Sequence, residues 1–411
     1  MEIQLVGATN NLFLNRVFDN PESGVHVDLK KISSSLEEEN QPAKDLILED
    51  LRRFSQNFAR ICYSEKDWPE LLQEKSMKGM TNSLIKAGHH SLFEHIHFNL
   101  YFKSLPKILA MTLNNEKQYI TSEKSARYTT MEASDDLQRE KYNKWMNILE
   151  PKIENVFPDM DNKEERAKTI HKLAMENARY MTSVFTPTKI AHTLNWRQIN
   201  FLVNSLEKNE HLKASPEMNE KLEKDTSELI ELLSPFRISG LENQTDRHLS
   251  LFDSRDVETH FGDVYSTSYL GSFARLAQEQ RHRTISYHIS DGTQLGAPQG
   301  FYVPDIVPEN MRTEWIKDLK EIASYDFPQA QLVKINERGK IEDFRSKTML
   351  RLCSPAQYEI MRGTLETGEK YKQFQEEYGK NSLKPKCIQG FKCNEKERCA
   401  WKGKKALERI V

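Results

Sequence analysis

Apolar positions recur at three- and four-residue spacing through residues 43–87, as in AKDLILEDLRRFSQNFARICYS. That spacing predicts helix, with a break at Trp68-Pro69 before a second one. From Ser91 the period shortens to two. Ile96, Phe98, Leu100 and Phe102 alternate with His97, Asn99 and Tyr101, the pattern of a strand. A short helix is expected around Lys107–Leu113, then a polar turn ending at Ser125-Ala126-Arg127-Tyr128. Residues 132–182 are charged and read as mostly helical, an excursion over the surface. An amphipathic helix follows over about 197–208, and Ser215-Pro216 supplies an N-cap with proline at the first helical position.

Between about 235 and 263 the periodicity lapses, which places a domain boundary there. Beyond it, Ser266 is expected to cap a helix, STSYLGSFARLAQEQ, that runs into Arg281-His282-Arg283. A turn-rich stretch, SDGTQLGAPQG, leads to Phe301-Tyr302-Val303-Pro304. Two further helices are expected, the second opening with a capping box at Ser354-Pro355-Ala356-Gln357. Helix, strand, helix, turn, helix thus occurs once in each half, the outline of a diverged internal repeat.

Composition narrows the classes. The 411 residues suit two to three domains, and 59 Lys and Arg against 61 Asp and Glu leave no charge excess directed at nucleic acid or an anionic membrane. The opening MEIQLVGATNNLFLN lacks a basic region followed by an apolar core, and no apolar run approaches the ~20 residues that span a bilayer. Five cysteines in so long a chain make no disulfide framework, so a reduced cytoplasmic compartment is the simplest expectation.

Three clusters carry candidate chemistry. Gln278, Arg281 and His282 share one face of a predicted helix end, where arginine forks and an imidazole suit a phosphate; a solvated basic helix end is the plain alternative. GHHSLFEH offers histidines and a glutamate, which are metal ligands in principle, although no HExxH spacing is present. Glu123, Ser125 and Arg127 lie within one turn and can hold a sugar hydroxyl and a phosphate together. A fourth group, Cys387, Cys393 and Cys399, is evenly spaced in a basic tail. It reads either as free thiols or as three ligands for zinc or iron completed from elsewhere.

Taken together, these segments resemble the flavin-dependent thymidylate synthases. GHHSLFEH is similar to that family's GHxSxxEH, Arg281-His282-Arg283-Thr284-Ile285-Ser286 to RHRxxS, and Glu123-x-Ser125-x-Arg127-Tyr128 to ExSxRY. Leu350-Arg351 with Ala356-Gln357-Tyr358-Glu359-Ile360 resembles LR...AQxEI, Ala59-Arg60-Ile61-Cys62 the ARxC/S segment, and Phe301–Pro304 the FYxP segment. Asn195, Arg197 and Asn200 resemble the flavin-contacting NxR...N stretch, one residue short. The family's signature is continuous, RHRxxSxNExSxRY; here it is divided. The first half has Asn115-Glu116-Lys117 where RHR would stand but keeps ExSxRY. The second keeps RHRxxS and lacks SxRY.

The resemblance implies an α+β fold of two tandem lobes similar to the thymidylate-synthase-complementing proteins, each of antiparallel sheet plus helices. The halves are 1–240 and 241–380, with a cysteine-containing tail at 381–411. It implies reductive methylation of dUMP with methylenetetrahydrofolate, FAD as cofactor and NADPH as reductant. Arg351 would be catalytic, stabilising charge near N3 and O2 of the uracil. Gln278, Arg281, Glu123, Ser125, Arg127 and Arg351 would hold dUMP, and Ser91, Glu94, His282, Arg283, Asn195, Arg197, Asn200 and His89 would line FAD. The family assembles each site between subunits, so a homodimer of four lobes is expected, with one composite site per chain. Open beside this are a catalytically retired nucleotide- or flavin-binding member, a variant dUMP one-carbon transferase, and a metal-dependent hydrolase built on the His89–His97 cluster.

Overall fold

A computed structural model of the chain describes residues 2–8, 41–77, 79–117, 119–126, 129, 133–208, 214–241, 249–253, 255–290, 295, 298–374, 383–393, 399–401 and 403–411. Helix α1 (Gln41–Ile61) is followed by α2 (Trp68–Gln73), with Pro69 in its first turn, and by α3 (Met80–Lys86). A 3₁₀ segment at His90–His95 turns the chain into β2 (His97–Pro106), which pairs with β1 (Glu2–Ala8). His95 therefore lies in the turn, outside the strand that carries His97. The sheet is completed by β3 (Ile120–Glu123) and β4 (Pro187–Asn195), in the order β1-β2-β4-β3, all antiparallel.

In the second half, β5 (Val264–Ser272), β6 (Ser286–Ser290) and β7 (Leu332–Lys340) form a separate antiparallel sheet in the order β5-β7-β6. The helix expected from Ser266 is mostly strand. Tyr265 and Thr267 alternate inward against β7, and the helix starts only at Phe273, capped by the Ser272 hydroxyl, which accepts from the Arg275 amide. Aromatic and β-branched residues at alternate positions outweighed the helical spacing. The capping box at Ser354 is likewise not used: the helix opens at Tyr358, and the Gln357 side chain bonds the Tyr180 hydroxyl.

The two sheets repeat one order of elements. After β2 comes α4 (Lys107–Leu113), then β3, then β4 running into α7 (Trp196–Glu207). After β5 comes α9 (Phe273–Glu279), then β6, then β7 running into α11 (Ile341–Arg351). The β3–β4 connection holds α5 (Asp136–Val156) and α6 (Lys163–Ala178), and the β6–β7 connection holds α10 (Arg312–Ala323). These insertions pack on each other. Trp145 meets Trp315 at 4.7 Å, and its indole N–H donates to Asp318. The charged segment after residue 132 is thus a second core rather than a surface excursion. Helix α8 (Pro216–Leu233) begins at the expected cap, with the Ser215 hydroxyl accepting from the Met218 amide. Helix α12 (Tyr358–Phe374) packs against α9 and α11.

One hydrophobic cluster runs through both halves, from Phe98, Phe102, Ile108 and Trp196 to Phe252, Phe273, Tyr287 and Ile335. Each large side chain buried there contributes about 1.5–3 kcal/mol, and the cluster is continuous across the two halves. The helix ends meet as well. Gln280 donates to the Met111 carbonyl at 2.9 Å and to Asn115 Oδ1 at 3.0 Å.

Candidate active site

Between the two halves lies a cavity of about 350 Å³, lined by Lys107, Glu123, Lys124, Ser125, Ala126, Arg179, Ala274, Ala277, Gln278, Arg281, Gln329 and Arg351. A cavity of that size suits a small ligand. Glu123 and Ser125 arrive at the end of β3. Gln278 sits in the last turn of α9, Arg281 just past it, and Arg351 at the last position of α11. Five of the six sequence-predicted nucleotide residues therefore meet in one cavity of one chain. The sixth, Arg127, lies outside the described residues.

The lining is strongly cationic, with Lys107, Lys124, Arg179, Arg281 and Arg351 against the single carboxylate of Glu123. The Glu123 side chain is fully buried. It accepts from Lys107, from Asn114 at 3.2 Å and from Arg281 at 3.3 Å. The β2–β4 register shifts between Lys103 and Leu105, with Ser104 at φ 62°, and this bulge precedes the turn that delivers Lys107 to the cavity. Burial pushes the Lys107 ammonium pKa down, and Glu123 opposes that shift.

Arg179 is only 6% exposed, and its Nε and Nη2 are buried with no hydrogen-bond partner among the described residues. A buried guanidinium left in that state is costly, so its position in the lining points to an anionic ligand. Sequence reasoning missed both Arg179 and Lys107. One is a lone arginine closing a helix and the other a lone lysine opening one, and neither lies in a recognisable pattern.

The polar residues of the Ala356–Ile360 segment stand behind the lining. Gln278 donates to Gln357, Gln357 donates to the Tyr180 hydroxyl, and Tyr180 donates to Glu359 at 2.7 Å. Glu359 also accepts from the Ser272 amide and hydroxyl, at the start of α9. The Arg351 Nε donates to His282 Nε2 at 2.7 Å, and its Nη2 donates to the Gln278 carbonyl at 3.1 Å. Burial, Arg351 and Lys347 push the His282 pKa down to about 2, so this imidazole is neutral.

Residues 48–233 match the family model of the thymidylate synthase complementing protein. Over that span the chain is similar to this family. The match to the thymidylate synthase complementing protein ends before the segment carrying Arg281, His282 and Arg283. No curated protein matches the chain. Among solved structures, the chain is similar to the Helicobacter pylori flavin-dependent thymidylate synthase ThyX complexed with FAD and dUMP. That similarity has 17% identity and a TM-score of 0.28, over 58% of this chain and 94% of that one. It is also similar to the Streptomyces cacaoi UMP/dUMP methylase PolB bound with 5-Br dUMP, at 15% identity and a TM-score of 0.26, over 47% of this chain and 92% of that one.

The residues expected to line a flavin fall in two places. Glu94 accepts from Arg197 at 2.6 Å, with exposed His89 and Ser91 on the adjoining turn. Asn195 caps α7 by accepting from the Gln198 amide. Asn200 is fully buried and its amide is engaged within the fold, donating to the Trp196 and Phe236 carbonyls and accepting from the Ile238 amide. This group sits at the far end of β4: Glu123 pairs with Ile190, five residues before Asn195, or about 17 Å at strand rise. Arg283 donates at 2.9 Å to the carbonyl of Tyr119, the neighbour of Ile120, which pairs with Thr193 two residues before Asn195, whereas His282 is bonded by Arg351 of the cavity lining.

The remaining histidines of GHHSLFEH are engaged locally, His90 with the Ile85 carbonyl and His95 stacked on Phe58. Cys387, Cys393 and Cys399 are free. Among the described residues no three of His, Cys, Asp and Glu group as a metal site, and no helix is long and apolar enough to cross a membrane.

Proposed function

We propose that the chain is a flavin-dependent enzyme of the thymidylate synthase type, which transfers a one-carbon unit from methylenetetrahydrofolate to dUMP, with FAD and NADPH. Its two halves are tandem lobes of a duplicated fold, which share one nucleotide site per chain. The supporting observation is the cavity, where Glu123 and Ser125 of one half meet Gln278, Arg281 and Arg351 of the other. The repeated element order and the matched family span support the same reading.

In this reading Arg281 exchanges its long contact with Glu123 for the nucleotide phosphate, and the Nε and Nη2 of Arg179, which have no hydrogen-bond partner among the described residues, become satisfied. Lys107 stays with Glu123, so that carboxylate does not repel the dianion. Arg351 stabilises negative charge spread over N3 and O2 of the uracil, which makes C5 nucleophilic without a cysteine adduct. Arg197, Ser91, His89 and Arg283 offer the donors that a dinucleotide's phosphates and hydroxyls require, whereas the amide of Asn200 has none to spare. Bound there, FAD supplies the redox chemistry. Association of two chains into four lobes belongs to the same reading.

The test is the visible spectrum of protein incubated with excess FAD, followed by NADPH oxidation with and without dUMP. Flavin bands and faster oxidation with dUMP are expected. A colourless protein with unchanged flavin fluorescence rejects the reading.

A further inference from the structure

Two ties join α9 to α11, the helices that bring Gln278 and Arg351 to the cavity. The rear tie is buried. Lys347 is fully buried, and its ammonium donates to Glu337 of β7 at 2.8 Å and to Glu279, the last residue of α9, at 3.4 Å. Arg275 also donates to Glu279, at 2.9 Å. A hydrogen-bonded network of buried charges tolerates little displacement, because breaking one pair strands an uncompensated charge. One turn beyond Lys347 comes the front tie, in which Arg351 bonds both the Gln278 carbonyl and His282.

The front tie has a specific geometry. Donors on two different nitrogens of one planar guanidinium fix its plane as well as its position. The Nε acceptor must be a lone pair, so the His282 proton resides on Nδ1. Protonation at Nε2 would set a donor against a donor.

We propose that His282 is the positioning residue for Arg351: its neutral imidazole accepts the Nε–H and, with the Gln278 carbonyl, holds the guanidinium in one orientation at the cavity. This rests on the functional reading above and gives His282 a role other than lining the flavin. Small misplacements of a catalytic group cost large factors in rate.

The experiment compares His282→Phe, which keeps a ring and removes the acceptor, with His282→Gln, which restores an acceptor oxygen. His282→Phe is expected to lower kcat by at least about tenfold with the KM for dUMP within about threefold, the pattern of an interaction used in the transition state. His282→Gln should recover most of that rate, and flavin affinity should be unchanged in both. In an Arg351→Ala background, adding His282→Phe should cost nothing further. A full additional loss there, a parallel loss of flavin affinity, or equal rates in the Gln and Phe variants each overturns the proposal.

A second measurement is independent of turnover. The Arg351 Nε–H should give a slowly exchanging NMR signal, identified by its absence in Arg351→Lys, that is lost in His282→Phe and kept in His282→Gln. Persistence of that signal in His282→Phe overturns the proposal whatever the activity. Its expected behaviour in a protein with no dUMP turnover supports the tie and rejects the functional reading instead.

Discussion

Asn115 and Arg281 occupy equivalent places, each the second residue past a seven-residue helix that directly follows a strand. Their surroundings are opposite. Arg281 lines the cavity, 3.3 Å from Glu123 with 37% of its side chain exposed, and the next residue, His282, holds Arg351 of the same lining. Asn115, Glu116 and Lys117 are built into the protein. Asn115 donates to Ser250 and to the Tyr287 carbonyl, both at 2.8 Å, Glu116 accepts from the Ser250 amide, and Lys117 donates to the Ile285 carbonyl at 2.8 Å. The segment at 249–253, whose Ser250 bonds Asn115 and Glu116, also bonds Ile289 of β6, so these side chains are taken up between β6 and that segment. Two like geometries thus serve different ends: at one the residues face an open, cationic cavity, and at the other they are bonded into the fold.

The largest expected effect is at Arg351. Its replacement by lysine keeps charge but not the planar fork, and should reduce kcat by about 10²–10³, as for loss of an oxyanion donor. Steady-state kinetics with the KM for dUMP near wild type would confirm it, and normal turnover would remove Arg351 from its role.

Next comes binding. Arg281→Ala should weaken dUMP by more than about tenfold, since losing a charged contact costs about 1.5–3 kcal/mol. Lys117→Ala, at the closed end, should leave the affinity within about twofold. Calorimetry should give one dUMP per chain; two would mean that the closed side still binds. Mixing Glu123→Ala with Arg281→Ala chains should restore no activity, because both residues serve the same cavity of one chain.

Asn115→Ala should lower stability by about 1–3 kcal/mol, because Gln280 and Ser250 lose a buried partner, while dUMP affinity holds. Chemical denaturation alongside calorimetry separates the two effects.

The smallest effect concerns pH. His192 is buried, stacked on Tyr119 at 5.2 Å, and neither ring nitrogen has a hydrogen-bond partner among the described residues. Burial pushes its pKa down to about 3. A histidine depressed from about 6.5 stabilises the fold above that pH and loses the contribution as pH falls toward 3. His192→Phe should therefore flatten the acid limb of thermal stability and leave neutral-pH behaviour nearly unchanged. An unaltered acid limb would exclude His192 as a source of it.

What the sequence made legible follows physical range. Strand β2, the cap at Ser215 and the break at Trp68-Pro69 are set by neighbours within a few residues, and the pattern of residues alone predicts them. β5 was misread because Tyr269, Phe273 and Leu276 also fit helical spacing, and only pairing with β7 decides between the two. Glu123, Ser125, Gln278, Arg281 and Arg351 were each picked out, yet their meeting in one cavity depends on a shared core formed by residues far apart in the chain. Arg179 and Lys107 were invisible because their significance lies in what surrounds them once folded. Asn200 shows the reverse: a motif-like asparagine whose amide is taken up by the fold.

The cavity's assembly from two halves of one chain has a consequence for its dependence on concentration. A pocket built across separate subunits is lost when they dissociate on dilution. Here Glu123 and Arg281 are 158 positions apart on one polypeptide and share a continuous core. Their meeting is intramolecular, with an effective concentration set by the fold itself. The cavity should therefore survive at dilutions where any association between chains has been lost.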